Sequence, residues 1–180
     1  VFLGSLGVSF VGLVALESSQ VFGGRSGNRM LSLPYMIAVG MGLHNLGEGL
    51  AIGASYASGE YTLSALLVAG FGLHNGTEGF GIVGAAGKTP MSWRDVFLLG
   101  LIAGLPTCVG TFLSGQGVSP YFSICFYALA AGSLLYVVLS LTVMSYTATR
   151  RVQVAAGMFA GISLMYVTAM VLTLVSGVRS

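Results

Sequence analysis

Six runs of about twenty predominantly apolar residues, separated by short polar punctuation, constrain this chain more than any other feature. A bilayer core about 30 Å thick takes roughly 20 residues of helix, and the runs fall near 1–17, 33–57, 62–87, 94–114, 120–146 and 152–176. A membrane β-barrel would need an apolar residue at every second position over about ten residues, and no run alternates that way. The fold class is therefore all-α, a polytopic transmembrane bundle of six helices forming a single domain over residues 1–180. Only 7% of the 180 residues are charged, against about 25% in an ordinary soluble domain. The 28 glycines suit helices that approach one another closely in lipid.

Other classes are excluded quickly. A formal charge of +2 gives no basic surface for nucleic acid, and Cys108 and Cys125 sit in apolar runs without metal or redox spacing. The chain opens at Val1 with neither Met nor a basic leader, so its first run does not read as a signal peptide, and a fragment of a longer protein is expected.

Orientation follows from Lys and Arg. Arg25 and Arg29, Lys88 and Arg94, and Arg150 and Arg151 fall in the connections after the first, third and fifth runs, whereas the opposite side holds only Arg179. The excess of positive charge places those three connections in the cytoplasm and both termini outside, with a cell membrane as the expected location. The outer connections, 58–61 and 116–119, are short enough to make hairpins of helices two and three and of helices four and five. The Ser- and Gly-rich segment 18–32 reads as a flexible cytoplasmic connector.

Two acidic residues stand apart. Glu17, Glu60 and Asp95 lie at helix ends near water, but Glu48 and Glu78 each fall near the middle of an apolar run, where a carboxylate costs roughly 2.5 to 3.5 kcal/mol to insert. Their surroundings repeat: Gly42-Leu43-His44-Asn45-Leu46-Gly47-Glu48-Gly49, and Gly72-Leu73-His74-Asn75-Gly76-Thr77-Glu78-Gly79. Both histidines of the chain and two of its three asparagines lie in these copies. On a helix, residues three and four apart share a face, so each copy presents an imidazole, an amide and a carboxylate together. A single mid-membrane His or Glu serves equally well as an interhelical hydrogen bond; the duplication points instead to a shared purpose.

If the hairpin sets the two faces against each other, His44, Asn45, Glu48, His74, Asn75 and Glu78 form a divalent-cation site. Mixed nitrogen and oxygen donors suit zinc, iron, manganese or cadmium, and the lack of thiolates argues against copper(I) or an iron–sulfur cluster. A bound cation would also keep both carboxylates ionised in an apolar slab. The pairs Gly49/Gly53, Gly100/Gly104 and Gly157/Gly161 read as helix-packing contacts, and Met41 as apolar filler. Pro106, deep in the fourth run, is expected to bend that helix and free backbone carbonyls, with Thr107 and Ser133 as packing hydroxyls. No His-Glu-x-x-His, Gly-x-Ser-x-Gly or phosphate-loop segment is present.

The two repeated segments resemble the His-Asn-x-Pro-Glu-Gly signatures on the fourth and fifth helices of the ZIP (Zrt/Irt-like) metal transporters. Ala130-Ala131-Gly132-Ser133-Leu134-Leu135-Tyr136-Val137-Val138 looks like the start of that family's seventh helix, and Gly104 to Gly110 like its sixth. The mapping equates the six helices with family helices three to eight. It implies a non-enzymatic transporter that moves zinc or a related metal toward the cytoplasm, with His44, Asn45, Glu48, His74, Asn75 and Glu78 carried over as ligands. The metal is then transported substrate and no prosthetic group is expected; a homodimer is implied. The signature Pro is Gly47 in one copy and Thr77 in the other, which removes the usual kink, and Thr107 stands where many members have an acidic ligand. Two rival readings follow from the same residues: a membrane-embedded metal hydrolase, in which one Glu activates a metal-bound water, and a metal-binding sensor that does not transport.

Overall fold

The computed structural model describes residues 1–19, 32–117, 119–146 and 151–176. It consists of six helices: α1 (Phe2–Ser18), α2 (Ser32–Ala57), α3 (Tyr61–Gly84), α4 (Trp93–Gly115), α5 (Pro120–Tyr146) and α6 (Arg151–Ser176). The expected all-α bundle is thus what the chain forms, and most of the 18–32 connector lies outside the described residues. Among the described residues, Trp93–Gly115, Pro120–Ser145 and Arg151–Val171 are long and apolar enough to cross a membrane. The helix α1 is apolar but has 17 residues, and α2 and α3, with 26 and 24, carry the His, Asn and Glu residues that dilute their hydropathy.

Local sequence sets the helix ends. At the end of α2 the Gly59 amide donates to the Tyr56 carbonyl and the Glu60 amide to the Ser55 carbonyl, with Gly59 at φ +79°. This is the reversal that glycine permits after a helix C-terminus, and it folds α3 back on α2 within four residues. Ser64 near the start of α3 donates to the Ile52 carbonyl across the turn. The third helix stops at Gly84, three residues short of the apolar run's end, because Ala86 and Gly87 leave the helical path in a turn with Gly87 at φ +58°. At the start of α4, Ser92 and Asp95 cap each other's backbone amides, a reciprocal arrangement that satisfies two otherwise orphaned donors.

The centre of the bundle is α2, which packs most extensively on α4 and also contacts α5, α3 and α1. Its first half supplies Met36, Ile37, Ala38 and Met41 to an apolar core completed by Leu13, Leu99, Ala103, Tyr136 and Val137 from other helices. Met41 is therefore core filler, as its sequence context predicts. The contact of α2 with α4 is a backbone-to-backbone one. A Cβ at Gly42, Gly49 or Gly53 would collide with the carbonyl oxygen of Ile102, Thr107 or Thr111, and one at Gly110 with that of Leu46. Helices without side chains at the crossing approach closely enough for Cα–H groups to lie on carbonyl oxygens. Pro106 contributes directly, since it lacks the amide that would engage the Ile102 carbonyl four residues earlier. That carbonyl is the one pressed against Gly42. The two helices are also joined at their starts, where Tyr35 donates to Asp95 at 3.0 Å.

Candidate metal centre

The tight turn at Gly59 lays α3 antiparallel to α2 and brings the two repeated segments face to face. One ligand atom from each of His44, Glu48, His74 and Glu78 lies within 4.8 Å of every other. Glu48 is the hub of this cluster. Its Oε1 is hydrogen-bonded to His74 Nε2 and stands 3.5 Å from His44 Nε2, and its Oε2 accepts from the Asn75 amide at 2.9 Å. Glu78 Oε1 lies 3.9 Å from His44 Nε2. The Glu48 side chain is 6% exposed, so the cluster neutralises a carboxylate that water does not reach freely. Phe71 meets the His74 ring edge-on at 5.4 Å and restricts its rotation.

Five of the six residues read from the sequence thus meet directly. The sixth, Asn45, is 2% exposed and donates its amide nitrogen to the Ala103 carbonyl of α4 at 3.1 Å. Asn45 Oδ1, Asn75 Oδ1, Glu78 Oε2 and His44 Nδ1 are buried with no hydrogen-bond partner among the described residues. Buried acceptors are rarely left so, and Asn45, Asn75 and Glu78, which line one cavity, supply oxygen donors suited to a cation. Zinc holds nitrogen and oxygen ligands tetrahedrally at about 2.0–2.2 Å, which sets neighbouring ligand atoms roughly 3.3–3.6 Å apart. His44 Nε2, 3.5 Å from Glu48 Oε1 and 3.9 Å from Glu78 Oε1, is close to that spacing.

The departures from the signature have structural reasons. Both helices run unbroken through the positions where the signature has Pro. Gly47 gives α5 its approach, for a Cβ there would stand 2.7 Å from Ala130 Cβ, and Thr77 returns its hydroxyl to the His74 carbonyl at 2.6 Å. Ser133 is a satisfied packing hydroxyl that donates to Ala130. Thr107 is a different case from the one expected, since its Oγ1 is buried and has no partner among the described residues. Gly49 and Gly53 are packing contacts as expected, but Gly100, Gly104, Gly157 and Gly161 have nothing within 4 Å of where a Cβ would stand. Ala103, whose carbonyl orients Asn45, is not legible in the sequence, because a backbone acceptor leaves no mark in residue type.

Fold and site together define a helical membrane protein with a His/Glu cluster built on two adjacent helices. Over 131 residues the chain is 34% identical to the human protein zinc transporter ZIP4, a match that covers 71% of this chain and 20% of that protein. The chain therefore spans about a fifth of the length of this curated relative. No family model matches the chain, and no solved structure matches it.

Proposed function

We propose that this chain is the metal-carrying part of a ZIP-like transporter that moves a divalent transition-metal cation, zinc foremost, across a membrane toward the cytoplasm. The observation that carries the reading is the meeting of four ligand atoms within 4.8 Å, supplied by a duplicated motif on two facing helices. The similarity to a protein named as a zinc transporter supports it independently.

The chemistry follows from the ligands. An ion entering an apolar slab must exchange its hydration shell for protein donors, and two carboxylates balance its double charge while two imidazoles complete the shell. To admit the ion, the hydrogen bond between His74 and Glu48 has to open, because ligand atoms around zinc stand farther apart than hydrogen-bonded partners do. The metal takes the place of the shared proton, and that proton leaves the site. Asn45 and Asn75 offer neutral oxygens beside the ligands, so the ion can change partners without leaving a carboxylate unpaired.

The test is zinc, cadmium, iron and manganese flux into proteoliposomes, comparing the parent chain with Glu48→Gln/Glu78→Gln. Flux in the parent and loss in the variant is the expected result. Undiminished flux in the variant would refute the mechanism, and metal bound by the parent without any flux would favour a sensor.

A further inference from the structure

The two oxygens of Glu48 meet partners of different kinds. Oε1 faces the cluster, hydrogen-bonded to His74 Nε2 and 3.5 Å from His44 Nε2. Oε2 accepts the Asn75 amide N–H at 2.9 Å. An ionised carboxylate only accepts, so the Asn75 atom against it is the nitrogen. A carboxylate ligates two ions at once when each of its oxygens is free to face one. In Glu48 a neutral N–H donor already holds the second oxygen.

No other helix brings negative charge to this level. The chain's acidic residues are Glu17, Glu48, Glu60, Glu78 and Asp95, of which Glu17, Glu60 and Asp95 stand at helix ends, and α5 and α6 hold none. The helix α4 runs beside the turn of α2 that carries Glu48. Asn45 donates to the Ala103 carbonyl, and a Cβ at Gly49 would stand 2.1 Å from the Thr107 carbonyl oxygen. Between Ala103 and Thr107 the polar side chain is the Thr107 hydroxyl, which is buried without a partner among the described residues, as are Asn45 Oδ1 and Asn75 Oδ1. All three of these oxygens are neutral. Two carboxylates balance one divalent ion, and a second would leave two positive charges uncompensated in an apolar slab.

We infer that the cluster holds one divalent ion at a time, and that Asn75 and Thr107 set this limit. Asn75 does so by capping the second oxygen of Glu48, and Thr107 by placing a hydroxyl, not a carboxylate, on the turn of α4 beside it. The inference rests on the reading of the cluster as a metal site. With one ion bound the site is electrically neutral, and adding a carboxylate at either position creates a charge that a second ion would balance.

Equilibrium dialysis of the chain in detergent against zinc tests it, counting only the zinc that is lost in Glu48→Gln/Glu78→Gln. The parent should saturate at one ion per chain. Asn75→Asp and Thr107→Glu should each double that number, whereas Thr107→Gln, which matches Glu in size without its charge, should stay at one. Thermal midpoints in zinc-free detergent identify a variant that has not folded, and Asn75→Asp, nearly identical in shape to the parent residue, keeps the test open if Thr107→Glu fails. Two glutamate-dependent ions in the parent would overturn the inference and leave the metal site standing. One ion in both charged variants, each folded, would overturn it as well, and so would a second ion in Thr107→Gln, since charge would then not be what limits the number. No glutamate-dependent zinc in the parent would refute the metal site itself.

Discussion

Glu48 does most of the organising within the metal centre, and its burial explains why. A carboxylate that water barely reaches must be met by protein donors or by a cation, and Glu48 has His74, Asn75 and, slightly farther off, His44 around it. Glu78 has fewer partners, with one oxygen unpaired among the described residues. Glu48→Gln should therefore weaken zinc binding the more of the two, by at least the 10- to 100-fold typical of disturbing a metal shell, as read by calorimetric titration in detergent. Binding should also release protons, since the ion replaces the proton between His74 and Glu48. Titrations in buffers of different ionisation enthalpy measure that release directly. The affinity should fall as pH is lowered, because protonated imidazoles cannot ligate.

The pairing of α2 with α4 depends on glycines whose neighbours are backbone atoms, which cannot rotate aside as a side chain can. Gly49→Ala sets a methyl group against the Thr107 carbonyl, and overpacking of this kind costs about 1–3 kcal/mol. A lower thermal midpoint in detergent is expected, and a parent-like midpoint would show that the helices separate without cost. Gly157→Ala on α6 makes the contrasting case. With open space at that position, the better helix propensity of Ala should leave stability equal or slightly higher, by up to about 1 kcal/mol. The reciprocal cap of Ser92 and Asp95, tied to Tyr35, holds the start of α4 against the start of α2.

The bundle as a whole turns on a central α2 enclosed by α4, α5, α3 and α1, with α6 only lightly attached. On the proposed transport reading, the distribution of Lys and Arg sets the 85–92 connection on the cytoplasmic face and the 58–61 turn on the other. Cysteines introduced at Ser58→Cys and Lys88→Cys should accordingly react with an impermeant reagent from opposite faces of the membrane. Reaction of both from the same face would remove α3 from the set of crossing helices.

Hydropathy and spacing are local properties, so the chain's sequence alone determines that there are six helices, where each begins and ends to within a few residues, and that His44, Asn45, Glu48 and His74, Asn75, Glu78 occupy helical faces. The hairpin turn at Gly59, close to the centre of the 58–61 punctuation, is equally legible because only glycine accepts that backbone conformation without strain. The unequal roles of the two glutamates are not legible, since their sequence contexts are nearly the same and only the helix crossing makes Glu48 the hub. Nor is the division among glycines: Gly49 and Gly104 look alike as residues four from another glycine, yet one meets a carbonyl and the other faces a cavity. That difference belongs to the neighbouring helix, and contacts between residues some 60 positions apart follow from packing, which no local pattern encodes.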